Sequence, residues 1–162
     1  LPWIAFDFVE CRLQHRSGTA LIHTKLYKQN NSSKHGGAII LEGIVTSGLG
    51  EGSFFMSMEH YKKEIKEKLG FEAYPGTLNL KVNETQIDSL KKTSPIRING
   101  YEKDNRTFYG VNCYKAKINN TNGFIIIPDI NKHKDIIEFI APIHLKSKLN
   151  LKDGDKIKLM LQ

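Results

Sequence analysis

Cysteine is nearly absent from this chain, with only Cys11 and Cys113 among 162 residues. The two form no Cys-x-x-Cys pair and stand in no zinc-ligand spacing, so neither a disulfide framework nor a small zinc module is encoded. No apolar run is long enough to cross a membrane. Pro2 to Val9 fails as a signal-peptide core because Asp7, Glu10 and Arg12 interrupt it too early. Without a secretion signal, sequons such as Asn83-Glu84-Thr85 carry no weight. Together these absences read as a cytoplasmic protein of a reducing compartment, with no membrane partner.

Phosphate-binding signatures of the common kind are missing too. Gly52 is followed by Ser53, not by Lys and Ser/Thr, so there is no Walker A motif. Gly48, Gly50 and Gly52 do not match the dinucleotide fingerprint, which needs a wider last spacing and a helix opening there. His133 and His144 belong to no acidic or cysteine cluster and read as surface residues or phosphate neighbours. Basic residues are scattered from Arg12 to Lys158 with no tight run. The net charge of +7 suits a phosphorylated ligand or a nucleic acid, yet speaks to steering and solubility, not to fold.

What is present is enough apolar content, 40%, for one proper core and no more. Residues 1–37 look foreign to it, with a polar stretch from Lys28 to Lys34, and read as a poorly ordered leader or linker of unknown role. From Ala38 on, short elements follow closely. Ile39 to Val45 reads as a strand, and Ser57 caps a helix whose face is Met58, Tyr61, Ile65 and Leu69, ended by Gly70. Beyond Val82 strands dominate. Ile96 and Ile98 alternate with Arg97 and Asn99, Glu102 to Arg106 is a hairpin turn, and Thr107 to Ile118 is one long strand containing Gly110. Asn119 to Gly123 turns into Phe124 to Ile127. Ile136 to Ile140 is strand or helix on periodicity alone, and as a strand puts Ile136, Glu138 and Ile140 on one face. Pro142 opens a helical turn reaching Leu149, and Asp153-Gly154-Asp155 turns into a last strand, Lys156 to Leu161. Many short strands with two or three small helices predict a compact β-barrel.

Two runs carry the chemistry. Ser47-Gly48-Leu49-Gly50-Glu51-Gly52 follows the first strand, and its glycines leave backbone N–H groups uncovered for an anion, although a mobile hairpin connection has the same look. In Gly76-Thr77-Leu78-Asn79-Leu80 the leucines face a core while Thr77 and Asn79 share the opposite face. Two neutral oxygen donors side by side suit a Mg²⁺ ion that takes its other ligands from water and phosphate. Exposed Thr and Asn on a strand are otherwise ordinary. Glu138, among large apolar neighbours, is either a solvent-facing strand residue or a group for binding a polar ligand or for general-base work.

Taken together, these pieces resemble the archaeal CTP-dependent riboflavin kinases. The match runs in order through Glu42-Gly43, the 47–52 glycine run, Tyr61, Leu69-Gly70-Phe71, Tyr74 and Gly76 to Leu80. It continues through Phe108-Tyr109-Gly110-Val111, Ile137-Glu138, Ile140-Ala141-Pro142 and Leu151 to Asp155. The resemblance implies a mainly β protein, a six-stranded cradle-loop barrel with a few short helices spanning 38–162, that moves the γ-phosphate of CTP to the 5′-hydroxyl of riboflavin, giving FMN and CDP. The expected partners are these substrates and products, not nucleic acid, and the expected state is a monomer. By the same carry-over, Gly48, Leu49, Gly50, Glu51, Gly52 and Ser53 form the nucleotide loop, joined by Ile143, His144, Leu145 and Lys146. Thr77 and Asn79 hold Mg²⁺, Asn131 and Glu138 meet the flavin, and Glu138 is the candidate catalytic base. Asn131 stands where the family pattern has threonine. Lys146 replaces an arginine, keeping the charge but losing the two-pronged fork. The rival expectation is a basic barrel that binds nucleic acid, as a transcription factor does; Phe54, Phe55, Tyr109 and Tyr114 form no recognisable stacking platform for it.

Overall fold

The computed structural model describes residues 37–48 and 51–162, and of Glu51 only the backbone. The leader expectation therefore lies outside the described residues but for Gly37, as do Leu49 and Gly50 of the nucleotide-loop expectation. The elements begin with β1 (Ile40–Thr46), α1 (Glu51–Ser57), α2 (Glu59–Leu69), β2 (Leu78–Lys81) and α3 (Glu84–Lys91). Next come β3 (Ile96–Ile98), β4 (Tyr101–Lys103), β5 (Arg106–Phe108), β6 (Val111–Ile118) and β7 (Thr121–Pro128). The chain ends with β8 (Ile136–Ile140), α4 (Leu145–Lys148) and β9 (Lys156–Leu161).

Six strands close on themselves in the order β6–β7–β8–β2–β1–β9 and back to β6, every neighbour antiparallel. Closure leaves no continuous open edge, which is how a small all-β protein satisfies its backbone without aggregating. One edge of β6 is shared: its start pairs with β3 through Ile96↔Cys113, and its end pairs with β9 through Ala116↔Leu161. β4 and β5 form a separate hairpin. The expected mainly β, six-stranded barrel is the fold observed.

Alternation sorts the apolar residues into two cores. Leu41, Val45, Leu78, Leu80, Ile125, Ile137, Phe139 and Leu159 point inward and fill the barrel. Phe124, Ile126, Ile140 and Cys113 point outward and are covered by Met56, Tyr61 and Ile65 of α1 and α2. β7 is buried on both faces, which is why it reads as an unbroken apolar run. Each fully buried isoleucine contributes about 1.5–3 kcal/mol, so this doubly covered strand is the centre of the fold.

Several expectations change in detail. Ser57 does not cap α2; it ends α1, donating its hydroxyl to Phe54 O at 2.6 Å, and Met58 takes the cap position with no side-chain bond. Gly70 ends α2 as expected, in the left-handed region (φ 81°). The long strand through Gly110 is two, β5 and β6, because the Arg97 side chain crosses the chain there. A Cβ at Gly110 would lie 2.7 Å from Arg97 Cζ. The hairpin turn narrows to Asp104 and Asn105, both left-handed (φ 51° and 57°), the backbone of a two-residue turn matched to strand twist. β7 starts at Thr121, inside the stretch expected to be turn. The unanticipated α3 is held by a capping box, in which Asn83 Oδ1 accepts from Thr85 N and Gln86 Oε1 accepts from Asn83 N. Its Ile87 and Leu90 join the barrel core. Among the described residues no helix is long and apolar enough to cross a membrane.

Candidate functional site

β1 leaves the barrel at Thr46, passes Ser47 and Gly48, and the chain re-forms as α1 at Glu51. A helix does open in the glycine run, contrary to expectation, but the glycine spacing still differs from the dinucleotide fingerprint. Both described glycines of the run are pressed against polar side chains. A Cβ at Gly48 would sit 2.7 Å from Asn79 Cγ and 2.8 Å from Asn79 Oδ1. A Cβ at Gly52 would sit 2.7 Å from Thr77 Cγ2 and 2.9 Å from Glu138 Oε1. Only a residue with no side chain lets the backbone come this close.

The strand register explains the cluster. Thr46 faces Asn79 across β1 and β2, and Asn79 faces Glu138 across β2 and β8, so side chains from three strands share one row outside the barrel. Thr77, two residues before Asn79, falls on the same face and donates to Glu138 Oε1 at 3.5 Å. Asn79 Nδ2 donates to Thr77 Oγ1, also at 3.5 Å. Glu138 is half-buried in this row, with Asn79 and Ile126 as its neighbours on the flanking strands.

Two hollows border the row. On one side, Thr77 lines a recess of about 40 Å³ with Tyr74, Gly76, Ile143, His144 and Lys146. Tyr74 and His144 stack there at 4.8 Å, and Ser53 Oγ lies 3.9 Å from where a Cβ of Gly76 would be. On the other side, Asn79 and Glu138 line a cavity of about 680 Å³ whose other walls include Phe54, Phe55, Tyr109, Ile126 and Asn131. Phe54 and Tyr109 are exposed at its rim. Apart from Glu51, known by its backbone alone, the described residues of the nucleotide, metal and flavin expectations lie at this row or about its two hollows.

Fixed ion pairs frame this arrangement. Lys146 Nζ donates to Asp153 Oδ1 at 2.7 Å, and Ser47 Oγ donates to Asp153 Oδ2. These bonds, Lys146 first, hold the Asp153 carboxyl below the usual carboxylate pKa range. Behind the cavity, Arg97 forks onto Asp129 with two 2.5 Å bonds, and the Asp129 carboxyl is lowered chiefly by that bond. Tyr61 donates to Tyr109 O at 2.6 Å, and burial pushes its phenol up to about 12.

The donor set suits a hard cation with few protein ligands. Among the described residues no three His, Cys, Asp or Glu side chains converge. The oxygen-bearing side chains that gather are Thr77, Asn79 and Glu138, two neutral and one acidic, with the bare backbone of Gly48 and Gly52 packed close against them. These residues fit Mg²⁺.

The residues that sequence reasoning missed are cavity walls and braces. Phe54 and Phe55 enter the sequence reading only as a nucleic-acid platform and Tyr109 there and in the family match, yet all three wall the cavity, whereas Tyr114 lies inside the barrel. Asp153 read simply as a turn residue, and nothing local marked Arg97 and Asp129 as partners.

Fold and row together define a closed antiparallel barrel whose first strand exits through a glycine-backed cluster of oxygen donors. Residues 45–161 match the family model labelled CTP-dep_RFKase and described as domain of unknown function DUF120. The chain belongs to that family, as its motifs led us to expect. It is 44% identical over 126 residues to a riboflavin kinase of Pyrobaculum aerophilum, covering 75% of this chain and 60% of that protein. It is 44% identical over 138 residues to a riboflavin kinase of Pyrococcus furiosus, with 83% and 63% covered. A riboflavin kinase of Methanococcoides burtonii is 39% identical over 126 residues, with 75% and 56% covered. The matched region therefore spans little more than half the length of these relatives.

Proposed function

We propose that this chain is the barrel of a kinase that transfers the γ-phosphate of CTP to the 5′-hydroxyl of riboflavin, yielding FMN and CDP. The observation that carries the reading is the row Thr77–Asn79–Glu138. It is backed by Gly48 and Gly52 and borders both a small recess with Lys146 and an aromatic-walled cavity. Two hollows meeting at one cluster of oxygen donors suit a two-substrate transfer in which a phosphoryl group passes from one side to the other. The names of the relatives support riboflavin as acceptor, and the family label supports CTP as donor.

In this reading the nucleotide lies over the surface around His144 and Lys146, being far too large for the recess of about 40 Å³ itself, and the cavity with Phe54, Tyr109 and Asn131 takes the flavin ring. The backbone of the glycine run meets the phosphates. Thr77 and Asn79 would hold Mg²⁺, which neutralises charge on the triphosphate when bound. Glu138 accepts the proton of the riboflavin hydroxyl as its oxygen forms the new bond to phosphorus and the bond to CDP breaks. Alignment is the larger part of such catalysis, because the transition state is loose and needs positioning more than covalent help.

The test is direct. The protein is incubated with riboflavin, Mg²⁺ and each of the four nucleoside triphosphates, and FMN is measured by chromatography. FMN with CTP well above the other three is the expected result. FMN with ATP instead would overturn the donor assignment, and no FMN with any of them would overturn the kinase.

A further inference from the structure

The turn before β9 is built to stay in place. Gly154 takes the left-handed region there (φ 96°), and Asp155 Oδ2 accepts from Lys152 N at 2.7 Å. The same turn is laced to the end of β1, where Val45 N donates to Asp155 O and Gly154 N donates to Val45 O, both at 2.8 Å. From this anchored turn the two oxygens of Asp153 reach apart. One accepts from Ser47, the residue before Gly48, and the other accepts from Lys146 in α4. A single carboxylate spans the root of the glycine run and the helix that lines the recess.

Its location is otherwise hard to explain. A fixed negative charge beside a triphosphate site repels the ligand, and exposed ion pairs stabilise folded proteins little. Lysine is a long, mobile side chain that offers a point charge and no planar fork, so an unbraced lysine loses much conformational freedom when it grips a phosphate. A carboxylate that already holds the ammonium and the loop root in register removes part of that loss before the ligand arrives. This brace matters more with Lys146 than it would with an arginine.

We propose that Asp153 is a positioning residue for the nucleotide: by holding Ser47 and Lys146 together it pre-sets the start of the glycine run, Ser47-Gly48, and the lysine for a triphosphate. The inference rests on the kinase reading. It assigns Asp153 no contact with substrate, and its benefit to binding is expected to exceed the repulsion from its charge.

The test is calorimetric titration of CTP with Mg²⁺ into wild type, Asp153→Ala, and a Ser47→Ala/Lys146→Ala background with and without Asp153→Ala. The first variant is expected to bind CTP about fivefold more weakly, with riboflavin affinity unchanged. In turnover, the CTP KM rises by a similar factor while kcat stays within about twofold. In the double-variant background, Asp153→Ala is expected to cost nothing more, since both partners are gone. Ser47→Ala alone, which touches only the loop side, should show part of the effect. Unchanged or tighter binding by Asp153→Ala overturns the proposal and leaves the kinase reading standing. So does an undiminished loss in the double-variant background. Failure of the wild type itself to bind CTP overturns the kinase reading, and the proposal with it.

Discussion

Asn79 lies directly across the β2–β8 ladder from Glu138, and the same row brings Thr77 Oγ1 to 3.5 Å from Glu138 Oε1. Cross-strand partners are about 5 Å apart at Cβ, so a register slip of one residue would turn one member of the pair into the barrel. This pairing makes the neutral donors and the carboxylate one unit. Thr77→Ala and Asn79→Ala are each expected to lower kcat by about 100-fold or more, the scale for a lost transition-state electrostatic contact. Both positions are half-buried and outside the barrel core, so the melting transition should move little. Full FMN synthesis by the double variant would remove the metal assignment.

Gly52→Ala sets local propensity against packing. Gly52 lies in the first turn of α1, where alanine favours helix over glycine by about 1 kcal/mol. The added methyl would lie 2.9 Å from Glu138 Oε1 and 2.7 Å from Thr77 Cγ2, and such overlap in packed surroundings costs about 1–3 kcal/mol. Packing is expected to win: Gly52→Ala should lower the melting temperature and turnover together. A variant that melts higher and retains wild-type activity would show that the glycine is there for some reason other than close approach.

Why some of this was legible in the sequence and some was not follows from the range of each interaction. Leu78, Leu80 and Val82 announced β2 and its inner face because the period of two is local. Glycine at 48 and 52 marked the loop for the same reason. α3 was missed because its buried residues are only Ile87 and Leu90, and two apolar positions in one short helix set no period; its real signal was the Asn83/Gln86 cap. The strand break at Gly110 comes from Arg97 reaching across to Asp129, partners far apart in the chain, and no local pattern announces that. Likewise the facing of Asn79 and Glu138 depends on register between strands far apart in the chain, which periodicity does not supply.

Cys113 offers a probe of the outer core. It is fully buried beneath α2, and burial pushes its thiol up to about 12, so the reactive thiolate is scarce at pH 8. In a Cys11→Ser background, a disulfide reagent at pH 8 is expected to label Cys113 only as fast as the protein opens. Adding denaturant should bring labelling to completion within seconds. Rapid stoichiometric labelling of the native protein would mean that the α1–α2 layer does not cover β6 as described.

The Arg97–Asp129 fork ties β3 to the start of the loop that carries Asn131 and His133 into the cavity wall. Asp129 has its carboxyl lowered from the ordinary 3.8, first by the Arg97 bond. A carboxylate whose folded-state pKa is depressed stabilises the fold above its unfolded pKa and loses that contribution as pH falls through the folded one. The stability gap between wild type and Asp129→Asn should therefore be constant from pH 7 down to about 5 and shrink below about 4. Both side chains are more than a third exposed, so the gap should be no more than about 1 kcal/mol. Urea unfolding at pH 7, 5 and 3.5 measures it. Riboflavin binding at pH 7 should weaken in the same variant, since the loop base loses its brace while the Thr77–Asn79–Glu138 row is untouched. A gap that widens toward acid would reverse the sign of the argument and detach Asp129 from Arg97.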